Sequence, residues 1–190
     1  MSPALSFAPS LLLRAQGRGL GLKAAIFDVD GELTAGRQYI GDQGEAFKPF
    51  HTLDGQGLKL LMAGGITAIV CSGRDSSALR RRVADLGLPH ALYGIGDKLA
   101  AADALLQTLA VAWDDVAVMG DDWPDLPLFA RAGFAVAPPN AHAEVRAAAH
   151  HVTAARGGEG AVRECCDLLL MASGCYAALL ATHSGTLDAR

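Results

Sequence analysis

Short, continuously apolar runs recur along this chain, AAIF at 24–27, ITAIVC at 66–71, VAVM at 116–119 and FAVA at 134–137. Segments of helical period such as SALRRRVADLG and DKLAAADALLQTLA lie between them. A strand without a polar face must be covered on both sides, and a parallel sheet with crossover helices does that. The expected class is therefore α/β, a Rossmann-like doubly wound parallel sheet. With 190 residues, 51% of them hydrophobic, one compact domain is expected. A loose arm over residues 1–22, in which Ser10 is the cap of a short helix, precedes the ordered domain at 23–173, and a tail follows at 174–190.

Charge narrows the classes of partner. A net charge of -4 gives no attraction for a nucleic-acid backbone, and the longest basic run, Arg80 to Arg82, reads as a solvated helix face. Cys71, Cys165, Cys166 and Cys175 have neither metal-ligand spacing nor the framework of a small secreted protein. No apolar run reaches the length of a bilayer crossing, so no membrane partner and a cytoplasmic location are expected. The adjacent His150 and His151 lack metal-ligand spacing.

In an open parallel sheet, ligands bind beyond the carboxyl ends of the strands, near a reversal in strand order. Three polar clusters fall at such ends: DVDGELT after AAIF, SGRDS after ITAIVC, and GDDWPD after DVAVM. Convergence of the first and third would crowd Asp28, Asp30, Asp121, Asp122 and Asp125, a costly arrangement unless a cation joins them. Hard oxygen donors favour Mg²⁺, which binds few carboxylates together with a substrate phosphate. Each cluster also has a plain local account. Asp-Gly is a common turn, Ser72 can cap a helix, Lys98 can be a solvated first-turn lysine, and Asp125 can cap the helix LPLFARAG.

Taken in order, DVDGELT, Ser72 in CSGRD, Lys98 in GDKLAA and GDDWPDLP resemble the four motifs of the haloacid dehalogenase superfamily. FHTLDGQGLKLL, APPNAHAEV and GGEGAVRECCDLLL resemble, more narrowly, its branch of 3-deoxy-D-manno-octulosonate 8-phosphate phosphatases. The resemblance implies that Asp28 is a nucleophile that becomes an aspartyl phosphate, and that Asp30 is the acid and base. It implies Mg²⁺ on the Asp28 carboxylate, the Asp30 carbonyl and the Asp121 carboxylate, with Asp122 and Asp125 as auxiliary or outer ligands. Ser72 and Lys98 would contact phosphate oxygens, and Thr34 would orient the nucleophile. The spacing of Asp28 and Asp30 allows both to face one group, since residues two apart in an extended segment point the same way.

The gaps between motifs leave room for a β-hairpin flap, GRQYIGDQGEAFKPF, and no cap domain. The resemblance then implies a homotetramer, in which the flap around Tyr39 and the RGGEGAVRE run of a neighbour help to close each site. Its Gly157, Gly158 and Gly160 permit close backbone approach. The implied substrate is a small phosphorylated sugar acid of lipopolysaccharide precursor synthesis, with Gly73, Arg74, His51 and Asp54 at its pocket. Arg74 would bind the carboxylate, or else pair with Asp75 or a backbone oxygen, and Asp54 also reads as a helix cap. Glu32 stands where the family usually has an aliphatic residue, Ala35 where it often has aspartate, and Pro138 to Asn140 replace a small or acidic run. Glu32 and Ala35 would touch the flap's base and bear on which sugar acid is accepted. Other readings are a phosphatase for a nine-carbon ulosonate phosphate, the separated partner domain of a nucleotide-sugar synthetase, and an assembly protein that keeps the fold without turnover.

Overall fold

A computed structural model describes residues 3–19 and 21–185. The chain runs through α1 (Pro9–Arg14), β1 (Ala24–Phe27), the hairpin β2 (Tyr39–Gly41) and β3 (Gly44–Phe47), α2 (Thr52–Ala63) and β4 (Thr67–Cys71). It continues through α3 (Ser77–Leu86), β5 (His90–Leu92), α4 (Lys98–Leu109), β6 (Val116–Met119), α5 (Leu126–Arg131) and β7 (Phe134–Ala137). The last elements are α6 (Ala143–Ala148), β8 (His151–Val152), α7 (Ala161–Ala172) and α8 (Tyr176–His183). Short 3₁₀ turns precede β6 and α5.

Six strands form one parallel sheet in the order β5-β4-β1-β6-β7-β8, and β2 and β3 pair by themselves as an antiparallel flap. Alternation along each strand divides the core in two. Ala25, Phe27, Val70, Met119 and Val136 meet residues of α2, α3 and α7 on one face. Ile26, Ile69, Cys71, Val118 and Ala135 meet α4, α5 and α6 on the other. This two-sided burial is what the unbroken apolar runs require. The strand order reverses around β1, with Phe27 opposite Val70 of β4 and Met119 of β6, so the loops leaving these three strands open side by side.

The N-terminal segment differs from its expected looseness. Ala15 is completely buried, and Phe7, Leu11 and Leu12 pack on the same core as α7, because the apolar side of α1 fits the face that α7 leaves open. Ser10 is not the cap. Pro9 takes the first helical position, which its fixed φ suits, and Ala8 precedes it without a side-chain bond. The tail continues from α7 as α8, and residues 1, 2, 20 and 186–190 lie outside the described residues.

α7 crosses the centre of its face with nine of its residues buried. Leu168→Ala should therefore lower stability by about 2–5 kcal/mol, the usual cost of a cavity in a tight core. Leu13→Ala, at a residue 67% exposed, should stay within about 0.5 kcal/mol, and urea melts of both variants check the contrast.

Candidate active site

Asp28 stands one residue past β1, and Asp30 two further on, where Gly31 turns the chain with φ +107°. A Cβ at Gly31 would overlap the Asp121 carboxylate, so glycine is what lets the first loop approach the third. The loop is also held from behind. Asn140, leaving β7, donates from Nδ2 to the Gly31 carbonyl at 2.9 Å and accepts the Gly157 N–H at 2.7 Å. The Gly158 N–H reaches the Glu32 carbonyl at 2.6 Å.

Lys98 opens α4 just after Asp97, whose carboxylate caps that helix at Ala100 N. Its ammonium lies 2.8 Å from Asp28 Oδ1 and 2.7 Å from Asp125 Oδ1, with the side chain only 6% exposed. One cation thus serves two carboxylates. Carboxylate oxygens of Asp28, Asp121 and Asp125 all lie within 4.8 Å of one another, and each pair at that range repels by roughly 3 kcal/mol at an effective dielectric near 20. Burial, and then the Asp125 charge, pushes Asp28 up to about 6 despite Lys98. Burial, followed by Asp28, Asp125 and Asp122, pushes Asp121 up to about 7. Burial alone would lower Lys98, but Asp28 and Asp125 raise it above its ordinary value. An all-oxygen set with surplus negative charge, and no nitrogen or sulfur donor, fits a hard divalent cation.

Asp30 sits beside this cluster. Its carboxylate takes an ion pair from Lys48, a weak hydrogen bond from Thr34 Oγ1 at 3.4 Å, and has Arg74 Nε at 4.0 Å. Ser72 is buried at the end of β4, its Oγ accepting the Arg74 N–H at 3.1 Å. Asp28, Asp30, Ser72, Gly73, Arg74 and Lys98 line one cleft of about 360 Å³ with the Asp121 to Asp125 loop.

Several expectations change here. Thr34 bonds Asp30 and the Val29 carbonyl, so it orients Asp30 rather than Asp28. Ser72 does not cap α3; Ser76 does, accepting from Leu79 N at 3.3 Å. Asp125 gives α5 no side-chain cap. Its Oδ2 turns back to the N–H groups of Asp121 and Asp122, and the Asp122 carboxylate in turn accepts the Asp125 N–H, which makes Asp122 a cap at the rim. Asp75 is bonded to Arg80 at 2.7 Å, which leaves Arg74 facing the cleft.

His51 and Asp54 do not line the cleft of this chain. Asp54 is 1% exposed and accepts the Arg163 N–H at 2.8 Å, so it caps α7, whose own N-cap is Gly160, rather than α2. Glu32 turns inward. Its side chain is wholly buried in the core with both carboxylate oxygens unpartnered, and burial followed by Asp28, Asp125 and Asp121 raises it well above the usual carboxylate range. The RGGEG run lies against its own chain, since a Cβ at Gly157 would overlap the Gly31 carbonyl and one at Gly158 the Thr34–Ala35 backbone. Lys48 and Asn140 were missed as site residues. The one available signal was a lone lysine among the apolar residues of AFKPF.

The profile of haloacid dehalogenase-like hydrolases matches residues 94–163. The 3-deoxy-D-manno-octulosonate 8-phosphate phosphatase of Yersinia pestis is 41% identical over 155 residues, 82% of this chain and 83% of its own. The chain belongs to this phosphatase family. Among solved structures, a probable yrbI-family phosphatase from Pseudomonas syringae pv. phaseolica matches with TM-score 0.87 and 44% identity over 96% of this chain and 100% of its own. The Moraxella catarrhalis 3-deoxy-D-manno-octulosonate 8-phosphate phosphatase, in complex with magnesium, phosphate and KDO, matches with TM-score 0.85 and 36% identity over 92% and 98%.

The shifts at Asp28 and Asp121 carry a sign. Unfolded, both groups ionise near 3.8, whereas folded they hold their protons to about 6 and about 7. Their protonated forms therefore favour the fold at low pH, and that contribution is lost as pH rises from about 4 through 7. Thermal melts in chelator should show stability falling across that window. Added Mg²⁺, which binds the ionised groups, should raise the melting temperature more at pH 8 than at pH 5; a shift independent of pH would contradict this account.

Proposed function

We propose that this protein is a Mg²⁺-dependent phosphatase that hydrolyses 3-deoxy-D-manno-octulosonate 8-phosphate to the free sugar acid and phosphate. The observation that carries the reading is the gathering of Asp28, Asp121 and Asp125 around Lys98 at convergent strand ends, in a chain that belongs to this phosphatase family. The Asp28 and Asp121 carboxylates and the Asp30 carbonyl would hold the ion, with Asp125 alongside. Bound there, Mg²⁺ supplies charge neutralisation for the phosphoryl oxygens.

The residues of the chain divide the work. Asp28 attacks phosphorus as the bond to the sugar oxygen breaks, forming an aspartyl phosphate. Asp30 gives that oxygen its proton, then takes one from the water that cleaves the acyl phosphate and frees inorganic phosphate. Lys98 and Ser72 would meet the non-bridging oxygens, where fixed donors favour the charge of the transferring group. Arg74, 43% exposed at the mouth, would bind the carboxylate of the sugar acid.

The cleft is open, and the flap carries Ile40 and Phe47 at 62% and 55% exposure, with Tyr39 stacked on Phe47 at 4.4 Å. This apolar surface supports a homotetramer in which flaps of neighbouring subunits help to cover the sites. No single helix among the described residues is long and apolar enough to cross a membrane. With its four cysteines free, the chain suits a reducing cytoplasm.

Asp28→Asn should lower hydrolysis by roughly 10⁴-fold or more while the chain stays folded, with a melting temperature in chelator at neutral pH no lower than that of the wild type; undiminished turnover would remove Asp28 as nucleophile. A panel of phosphorylated sugar acids assayed with and without Mg²⁺ should place the eight-carbon 3-deoxy acid first. Preference for a nine-carbon ulosonate phosphate would replace the substrate and keep the chemistry.

A further inference from the structure

Lys48 leaves the end of the flap strand β3, yet its side chain is only 2% exposed. Its ammonium lies between two carboxylates, paired with Asp30 and 3.2 Å from Glu45 Oε1. A lysine this enclosed has lost the freedom and hydration of an ordinary flap residue, and it keeps its charge under cover only where carboxylates hold it. The flap has no strand pairing with the main sheet, so this contact is a direct tie between flap and catalytic loop. Among the described residues, the other cation beside Asp30 is Arg74, at 4.0 Å and 43% exposed. Thr34 adds one long bond.

A proton-transferring carboxylate acts only when its oxygens are held within reach of the departing group. Resting on the reading above, in which Asp30 protonates the leaving oxygen, we propose that Lys48 is the positioning residue for Asp30. Glu45 fixes the ammonium from the flap side, and the ammonium fixes the Asp30 carboxylate. Flap placement and the aim of Asp30 are therefore one arrangement. Lys48 itself touches neither phosphorus nor the leaving oxygen.

Two substrates separate this role from a structural one. A sugar alkoxide needs a proton as it departs, whereas nitrophenolate leaves without one. In rapid-quench measurements on the Mg²⁺-loaded full chain, Lys48→Met should slow formation of the phosphoenzyme from the sugar acid phosphate by roughly 10–100-fold, and from 4-nitrophenyl phosphate by less than about threefold. Lys48→Arg should recover most of the loss. Glu45→Gln, which leaves the cation in place, should show the same selectivity more weakly, and it provides the measurement if Lys48→Met does not fold. Equal losses on both substrates, or no loss on the sugar acid phosphate, overturn the role of Lys48 while the phosphatase reading stands. A wild-type chain that forms no phosphoenzyme from either substrate removes both.

Discussion

The site depends on like charges held closer than they would choose. Oxygens of Asp28, Asp121 and Asp125 lie within 4.8 Å of one another, with Lys98 as the cation between Asp28 and Asp125. Local preference does not bring them there. They are forced together by sheet register, because β1 is clamped between β4 and β6 with Phe27, Val70 and Met119 at one level. Burial of the strands on both faces holds this register against a repulsion of several kcal/mol. What remains unbalanced is a standing affinity for a divalent cation, and phosphoryl chemistry needs that same affinity.

A rigid loop is the second condition. Gly31 permits the approach to Asp121, and Asn140 ties its carbonyl to Gly157, so the loop is gripped from two sides by residues more than 100 positions away. In the RGGEG run, Gly157 and Gly158 have no Cβ at the points where they meet this backbone. The flap is attached to the rest of the site through Lys48. The cleft and the hairpin thus have separate supports: the sheet ends hold the clustered carboxylates, and the hairpin is tied to them through the Lys48–Asp30 pair.

The strands, their order of use and the motif aspartates were legible because each is encoded locally, as an apolar run or as a carboxylate directly after one. Lys98 and Ser72 were read from the order of the motifs, and both line the same cleft. What could not be read were partners distant in the chain. Asp54 looks like the cap of its own helix, but its carboxylate reaches Arg163 N, 109 residues on. Asp125 looks like a cap for α5, but burial beside Lys98 offers its carboxylate a stronger partner than a helix N–H group does. Lys48 has no local signature, since nothing in AFKPF says that the lysine folds under the flap toward Asp30. The same limit applies to Thr34, whose hydroxyl lies near both aspartates in sequence and chose one in space.

Glu32 shows how far composition can mislead about charge. The formal net charge of -4 counts it as ionised, together with Asp28 and Asp121. Its backbone performs the duties of the loop, since the carbonyl accepts Gly158 N–H and the amide reaches the Val29 carbonyl. Its side chain, however, enters the core, where a hydrocarbon would pack and where neither oxygen finds a partner. Leaving such a group unpaired costs roughly 1–3 kcal/mol even when it is neutral, and far more when it is charged. Burial, followed by the charges of Asp28, Asp125 and Asp121, accordingly raises this carboxyl well above the usual carboxylate range. The backbone bonds of Glu32 to Gly158 and Val29 meanwhile keep the loop's shape around this buried side chain.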